Sequence, residues 1–243
     1  MHPEEFREME ALEEGHWWFR GKRLILETLL DRAATTSSSR MIDVGCGTGG
    51  VLQALAGHGL TVGIDRAEVA LRFCREKGLT AVVLGSALEL PFATGSFDVC
   101  TMMDVLEHVD DEQAPLAEAR RILRPGGALV VSVPAFDALW SQHDVTLEHR
   151  RRYRKPQLVS VVRQAGLTVE WCSYTNFFVF PPALAWRLLR RWAGVAPGMR
   201  TDFWNAPAAL NAALVGTYRA EATWLRRFAL PFGVSVACIA RNA

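Results

Sequence analysis

The chain is organised around the stretch at residues 41–50, which reads MIDVGCGTGG. A short apolar run containing Asp43 leads into four glycines within six residues, and a second apolar segment follows. This order is typical of a buried strand that turns sharply into a helix, because glycine permits positive φ and lets a ligand lie against the backbone. Asp65 lies 20 residues after Gly45, the spacing of an acid that binds a ribose. The stretch predicts a nucleoside site without deciding between a nicotinamide enzyme and other nucleoside binders.

The segments beyond this stretch predict the fold class. Strands are expected at 41–44, 61–64, 81–84, 97–103, 128–133, 167–174 and 232–240. Amphipathic helices alternate with them, a pattern typical of an α/β protein with a doubly wound, mostly parallel sheet. Ligands bind such sheets at the carboxyl ends of the strands. We therefore expect the glycine-rich loop, Asp65, Ser86 and the segment 104–108 to meet at one edge.

Size and composition exclude several classes of protein. A chain of 243 residues suits one α/β domain with an insertion, and a net charge of +1 gives no reason to expect nucleic-acid binding. The five cysteines are odd in number and scattered, which favours reduced thiols over disulfides or a zinc site. The N-terminus is acidic, unlike a signal peptide, and no apolar run reaches the roughly 20 residues of a membrane span. We expect a cytoplasmic protein.

The segment from Asp43 to Gly49, DVGCGTG, resembles the first motif of the class I S-adenosylmethionine (SAM) methyltransferases. The carboxylate of Asp43 would repel the pyrophosphate of a dinucleotide, whereas SAM has no pyrophosphate and carries positive charges that a carboxylate attracts. DVLEH at 104–108 and LRPGG at 123–127 extend the resemblance, over about 40–134, to the ubiquinone/menaquinone-type members with methyltransferase domains of type 11 or 12. The resemblance implies SAM as cofactor, S-adenosylhomocysteine as product, and a seven-stranded sheet whose last strand is antiparallel.

The same resemblance implies which residues contact SAM. In that family the glycine-rich loop lies along the methionine part of SAM, and the acid after the second strand, here Asp65, holds the ribose hydroxyls. An aspartate after the third strand usually reads the adenine; this chain has Ser86 there, a hydroxyl in place of a carboxylate. Asp104 would lie near the amino end of SAM. The predicted cofactor-binding residues are Asp43, Gly45, Cys46, Gly47, Gly49, Asp65, Arg66, Ser86, Ala87 and Asp104.

The segment 134–155 is too long for a plain connection and carries aromatic and basic residues, which indicates a functional loop. Its basic run at 149–155 is either a solvated surface or a site for a carboxylate or phosphate of the substrate, since arginine pairs with such groups bidentately. The predicted substrate-binding residues are Trp140, Arg151, Arg152 and Tyr153.

Three histidines are candidate general bases, which methyl transfer needs only when the nucleophile carries a proton of high pKa. His108 is the first candidate, because the resemblance implies that it faces the substrate pocket. His143 and His149 are the next candidates. With Asp144, the latter two also offer metal ligands. Their spacing is not a regular helical one, so we predict no metal centre.

The predicted domain division is 1–39 for the N-terminal helices, 40–175 for the SAM-binding core, 176–230 for a helical cap, and 231–243 for the final strand. Within the first part a helix is expected at 22–33. The three aromatic residues at 17–19 either belong to a lid over the cofactor or pack on the sheet.

Two helices are expected in the cap. The helix at 182–193 carries Leu184, Leu188 and Trp192 on one side and arginines on the other, which suits a packed cap, an apolar substrate or a membrane surface. The helix at 207–228 has Glu221 on an apolar stripe, either in a buried pairing or facing the pocket. The stripe is formed by Leu210, Leu214, Thr217, Glu221, Trp224 and Phe228.

We expect a SAM-dependent methyltransferase that methylates an oxygen of a small or amphipathic acceptor bearing a hydroxyl or carboxyl group. N- or C-methylation on the same fold, a nicotinamide-dependent oxidoreductase, and a non-catalytic SAM-binding partner protein remain alternatives. The expected partner is a small molecule and not a nucleic acid, and a peripheral membrane contact is a further option. The sequence does not indicate the oligomeric state.

Overall fold

The computed structural model describes residues 3–193, 204 and 206–243, and its described part contains one sheet of seven strands. The strands are β1 Ser39–Val44, β2 Gly59–Asp65, β3 Val82–Leu84, β4 Phe97–Met103, β5 Leu123–Pro134, β6 Leu167–Thr175 and β7 Ser235–Asn242. Their spatial order is β3-β2-β1-β4-β5-β7-β6. The first five are parallel, and β7 runs antiparallel to β5 and β6. The predicted fold class is confirmed.

Helices cover both faces of this sheet. The α-helices of the described ranges are α1 Pro3–Glu13, α2 Trp17–Arg32, α3 Gly50–Leu55, α4 Glu68–Glu76, α5 Gln113–Ile122, α6 Gln142–Thr146, α7 Lys155–Gln164, α8 Phe180–Trp192 and α9 Ala208–Leu225. Successive side chains of β1 point to opposite faces. Ile42 lies in one core with Leu116 of α5, whereas Met41 lies in the other with Leu29 of α2. Both faces are covered, which explains the near-continuous apolar run of β1.

The N-terminal helix α2 starts earlier than the predicted 22–33. His16 accepts a hydrogen bond from the N–H of Trp18 (3.2 Å) and caps the helix at Trp17. The three aromatic residues therefore lie in the first turn. The cap comes from a histidine, which is not among the usual N-cap residues, so the sequence carries no start signal there.

Helix α2 packs closely on α9 near the end of the chain. A Cβ atom at Gly21 would lie 2.4 Å from the ring of Tyr218, so only glycine fits this contact. The N–H of Trp17 donates to Oδ1 of Asn211 (2.8 Å), and Nε2 of His16 lies 2.9 Å from the carbonyl oxygen of Trp204. The predicted N-terminal part is thus joined to the predicted cap.

Helices α8 and α9 come between β6 and β7 in the sequence, within the predicted cap. Residues 194–203 and 205 of that cap lie outside the described residues. The predicted stripe of α9 is partly wrong, because Leu210, Trp224 and Phe228 are exposed. The helix packs on α2 through a neighbouring face that includes Val215 and Tyr218. None of the helices in the described ranges is long and apolar enough to cross a membrane.

Glu221 of α9 forms a buried pairing and does not face the cavity described below. Its carboxylate accepts hydrogen bonds from the N–H groups of Asn176 (2.5 Å) and Phe177 (2.9 Å). Burial raises the pKa of Glu221 to about 7, although these hydrogen bonds oppose the shift. The side chain satisfies the backbone where the chain leaves β6 at a positive φ of 62° at Asn176.

Candidate functional site

A cavity of about 870 Å³ lies at the carboxyl ends of β1, β2 and β4. Its walls come from the glycine-rich loop, helices α2 and α8, and the segments after β4 and β5. Of the predicted site residues, those that line it are Gly45, Gly47, Asp65, Arg66, Ser86, Ala87, Asp104, His108, His143, His149 and Arg152. Those that do not line it are Asp43, Cys46, Gly49, Trp140, Arg151 and Tyr153.

The glycine-rich loop after β1 forms one wall of the cavity. Gly45, Gly47 and Gly49 have φ values of 76°, 51° and 97°, which disfavour any other residue. A Cβ atom on Gly47 would meet nothing within 4 Å, so open space lies beside its backbone. This is the cradle that an extended ligand lying along the chain requires.

Asp65, at the end of β2, holds this loop in place. Its Oδ2 accepts a hydrogen bond from the N–H of Gly47 (2.9 Å), and its Oδ1 accepts one from the N–H of Ala67 (2.9 Å). Each carboxylate oxygen has a further lone pair for a ligand hydroxyl. The arrangement fits a ligand that has a polyol next to an extended amino-acid part, as SAM has.

Asp43 lies behind the loop and does not reach the cavity, contrary to the predicted cofactor contact. It is buried, and Oδ1 accepts a hydrogen bond from Oγ1 of Thr101 on β4 (2.7 Å). Burial raises the pKa of Asp43 to about 7, with the Thr101 hydrogen bond opposing the shift. Asp43 and Thr101 are opposite each other in the register of β1 and β4, so their side chains meet on the same face of the sheet.

Asp104 joins the sheet edge to the N-terminal helix. It has a positive φ of 58° after β4 and forms an ion pair with Lys22 of α2. The Lys22 ammonium also lies 5.8 Å from the centre of the Trp18 ring. Trp17 is buried in the core, and it lines the cavity together with Trp18 and Phe19. The aromatic stretch therefore packs on the core and also forms a wall of the cavity, and its role as a lid over the cofactor stays a prediction.

A buried ion pair supports the opposite side of the cavity. Arg152 donates from Nε to Oδ1 of Asp144 (2.8 Å) and from Nη2 to Oδ2 (3.0 Å). Nδ1 of His149 lies 2.9 Å from the same Oδ1. Burial alone would raise the pKa of Asp144, but the hydrogen bonds from His149 and Arg152 lower it by more. The pKa of the carboxyl is therefore well below its usual range. Asp144 is therefore an ionised carboxylate that orients His149.

His149 lies next to the other two candidate bases. Its ring centre is 4.8 Å from that of His108 and 6.2 Å from that of His143. Burial, followed by the neighbouring His149, lowers the pKa of His108 to about 4. A base works best when its pKa is near the working pH, so His108 is a weak base at neutral pH.

The lowered pKa of His108 predicts a dependence of stability on pH. Between pH 6.5 and 4 the unfolded chain binds a proton that folded His108 does not, so the free energy of unfolding falls as the pH decreases. We expect His108→Asn to lose less stability than wild type between pH 7 and pH 5, by up to about 2 kcal/mol in urea titrations. His58→Asn, outside the cavity, is the control. Parallel losses in both variants and wild type would contradict the assignment.

Two predicted substrate-binding residues of the basic run, Arg151 and Tyr153, do not line the cavity. Nη2 of Arg151 donates to the carbonyl oxygens of Val109 (2.9 Å) and Asp110 (2.8 Å), and the Tyr153 hydroxyl donates to Glu112 (2.5 Å). Burial raises the pKa of the Tyr153 hydroxyl above its usual range. Side chains alternate along an extended segment, so the residue between these two points the other way. That residue is Arg152, and its guanidinium holds Asp144.

Glu107 is a cavity residue that the sequence analysis missed. It is fully buried, lines the cavity, and neither carboxylate oxygen has a hydrogen-bond partner within the described chain. Burial raises its pKa well above the usual range. Glu107, His108 and His149 each offer one ligand atom, and these three atoms lie within 4.8 Å of one another. Such a set of donors could hold a metal ion. The acid at the fourth position of the DVLEH motif is the sequence signal for this residue.

The relatives of the chain show which family it belongs to. Residues 42–131 match the methyltransferase-domain family. The ubiquinone biosynthesis O-methyltransferase of Thiobacillus denitrificans is 41% identical over 161 residues, which cover 58% of this chain and 69% of that protein. This chain belongs to the class I SAM-dependent methyltransferases. SAM is the cofactor of that family, and the resemblance carried by residues 43–49 is confirmed.

Other relatives extend the comparison. The O-methyltransferase rstn1 of Aspergillus nomiae is 30% identical over 139 residues, covering 54% of this chain and 62% of that protein. A geranyl diphosphate methyltransferase in complex with SAM shares the fold, with a TM-score of 0.59 at 19% identity over 90% of this chain and 84% of that one. The methyltransferase spans 41%, 54% and 64% of the length of three further curated relatives.

The geometry of the loop predicts which substitution weakens the binding of SAM to the methyltransferase. Asp65→Ala removes a carboxylate that lines the cavity and also anchors Gly47 and Ala67. We expect SAM affinity in calorimetry to fall by about 1–3 kcal/mol, the cost of losing hydrogen bonds to a charged group. Glu68→Ala, which removes an exposed acid on α4, should bind SAM as wild type does. Equal affinities in the two variants would exclude Asp65 from the site.

Proposed function

We propose that this methyltransferase transfers the methyl group of SAM to an oxygen of a small amphipathic acceptor that bears a hydroxyl or carboxyl group. One observation carries the proposal. The cavity that contains the glycine-rich loop and Asp65 also contains His149, a histidine oriented by an ionised carboxylate. A cofactor site and a base next to an acceptor space are what methylation of a hydroxyl requires.

The residues that would hold SAM are the backbone of Gly45 and Gly47, with Asp65 at the ribose and Asp104 toward the amino end. When bound, SAM supplies an electrophilic methyl group and leaves as S-adenosylhomocysteine. The protein contributes alignment of the acceptor oxygen and exclusion of water, which together account for a large part of such rate enhancements. The aromatic wall formed by Trp18 and Phe19 serves the second purpose.

The proton of a hydroxyl acceptor goes to Nε2 of His149. Nδ1 is occupied by the contact with Asp144, which fixes the ring, and the carboxylate stabilises the imidazolium that forms. His108, with its pKa near 4, does not hold a proton at neutral pH. A carboxyl acceptor is already ionised at neutral pH and needs no base. The two acceptor classes should therefore differ in their dependence on His149.

The cavity walls favour an amphipathic acceptor. Leu139, Leu147 and Trp186 give the acceptor side an apolar lining, while Arg187 and Arg190 of α8 add positive charge. These two arginines take the role that the sequence analysis gave to the basic run. An acceptor with an apolar body and an acidic or hydroxylated end matches both features.

The test measures product formation with isotopically labelled SAM and a panel of phenols, alkyl alcohols and carboxylic acids. We expect one class of acceptor to give S-adenosylhomocysteine and an O-methylated product in equal amounts. The Asp65→Ala variant should require a higher SAM concentration to reach the same rate. Methyl found on nitrogen or carbon would replace oxygen as the acceptor atom. SAM binding without product, from the panel or a metabolite extract, would support a non-catalytic SAM-binding protein. Stabilisation by NAD instead of SAM would support an oxidoreductase.

A further inference from the structure

The outer face of helix α8 is apolar. Trp186, Leu188, Leu189 and Trp192 are 57%, 53%, 59% and 88% exposed, and Ala185 is exposed between them. At 3.6 residues per turn these five positions lie on one broad side of the helix. A helix on the surface of a water-soluble domain normally turns such a side toward the core and its polar side toward water. In α8 the arrangement is reversed.

The other side of α8 faces the cavity and is cationic. Arg187 and Arg190 are partly buried and line the cavity, and the Arg190 guanidinium lies 5.8 Å from the centre of the Trp186 ring. Trp186 itself belongs to both the cavity wall and the outer face. The helix therefore separates the acceptor space from the outside by the width of one helix.

The segment that contains α8 is strongly basic. Residues 176–230 hold seven arginines against two acidic residues, a formal charge of +5 in a chain whose total is +1. One of the two acids, Glu221, is buried against backbone amides. An exposed apolar face with tryptophan and leucine, in a segment with excess arginine, has the composition of helices that lie in the interface of anionic membranes.

We propose that α8 docks this methyltransferase on the surface of an anionic lipid bilayer, with Leu189 and Trp192 inserted among the acyl chains. The proposal goes beyond methyl transfer and does not depend on it. A second copy of the chain is the other candidate for covering an apolar face. A second copy would carry the same excess of arginine in this segment, which is unfavourable, whereas anionic headgroups attract that excess.

Docking in this orientation would place the acceptor side of the cavity at the membrane. Because Trp186 contributes to both surfaces, an apolar acceptor dissolved in the bilayer could reach the cavity alongside α8 without entering bulk water. The amphipathic acceptor class proposed above is one that partitions into membranes.

The experiment is flotation of the full chain with two kinds of vesicle, pure phosphatidylcholine and phosphatidylcholine with one quarter phosphatidylglycerol. We expect wild type to float with the anionic vesicles, and less so in 0.5 M salt. The double variant Leu189→Glu/Trp192→Glu should reduce the bound fraction by about tenfold or more, since it loses two apolar anchors and adds negative charge. Leu60→Glu makes a similar change at a leucine that is 73% exposed on β2, and should bind as wild type does.

Circular dichroism and SAM binding verify that each variant is folded, so a loss of flotation reports docking alone. Failure of wild type to float with anionic vesicles would overturn the proposal, as would equal flotation of the double variant and Leu60→Glu. A dimer seen by light scattering that the double variant converts to monomer would assign the face to a second copy. Absence of methyl transfer would count against the proposed function and not against docking.

Discussion

Asp144→Ala is expected to lower the free energy of unfolding by about 3–5 kcal/mol, because it leaves a buried guanidinium without its carboxylate. Arg152 makes two hydrogen bonds to Asp144, and its third nitrogen, Nη1, donates to the carbonyl oxygen of Ala135 (3.0 Å). The N–H of Ser141 also loses its acceptor, since it donates to Oδ2 of Asp144 (2.8 Å). Denaturation by urea at neutral pH measures the loss.

Two further variants decide whether the ion pair is the cause. Asp137→Ala removes an exposed aspartate nearby in sequence and should cost less than about 0.5 kcal/mol. Asp144→Leu with Arg152→Leu removes both charges and should be more stable than Asp144→Ala. A loss below about 1 kcal/mol in Asp144→Ala would mean that the pair is not buried as described.

His149→Gln is expected to reduce kcat by about 10²–10⁴-fold with hydroxyl acceptors, the usual contribution of a positioned base. SAM affinity should remain at the wild-type value, because the glycine-rich loop and Asp65 lie on another wall of the cavity. With a carboxylic acid as acceptor the same variant should keep most of its activity. Steady-state kinetics with both acceptor classes, beside SAM titrations, measure these effects.

His108→Gln and His143→Gln are the matched variants. Both residues line the same cavity, but neither shows the contact with Asp144 that orients His149. We expect each to change kcat by only a few fold. If His108→Gln caused the larger loss, the base would be the residue that the sequence ranked first, and Asp144 would have only a stabilising role.

The sequence predicted those parts of the site that depend on local pattern. The strand, turn and helix around residues 41–50 follow from an apolar run and closely spaced glycines. Asp65 and Asp104 could be placed at the same edge because parallel strands share their carboxyl ends. The antiparallel last strand came from the resemblance and not from periodicity.

Other features could not be predicted because they depend on side-chain direction in non-repeating segments. Nothing in the order Arg151, Arg152, Tyr153 says which of the three points inward. For α8, periodicity identifies an apolar and a cationic side but not which of them faces the protein. Asp43 is similar: its place before the glycines indicated a ligand contact, yet the strand directs it at Thr101.

The contact between Gly21 and Tyr218 has a consequence for biosynthesis. Helix α2 is made before its partner on α9, which follows almost two hundred residues later, as the bond from Trp17 to Asn211 also illustrates. While the ribosome produces the intervening strands, the apolar face of α2 has no native partner. Pairings so distant in sequence form slowly and leave apolar surface open to aggregation. The aromatic wall of the cavity is therefore expected to be among the last parts of the nascent chain to form.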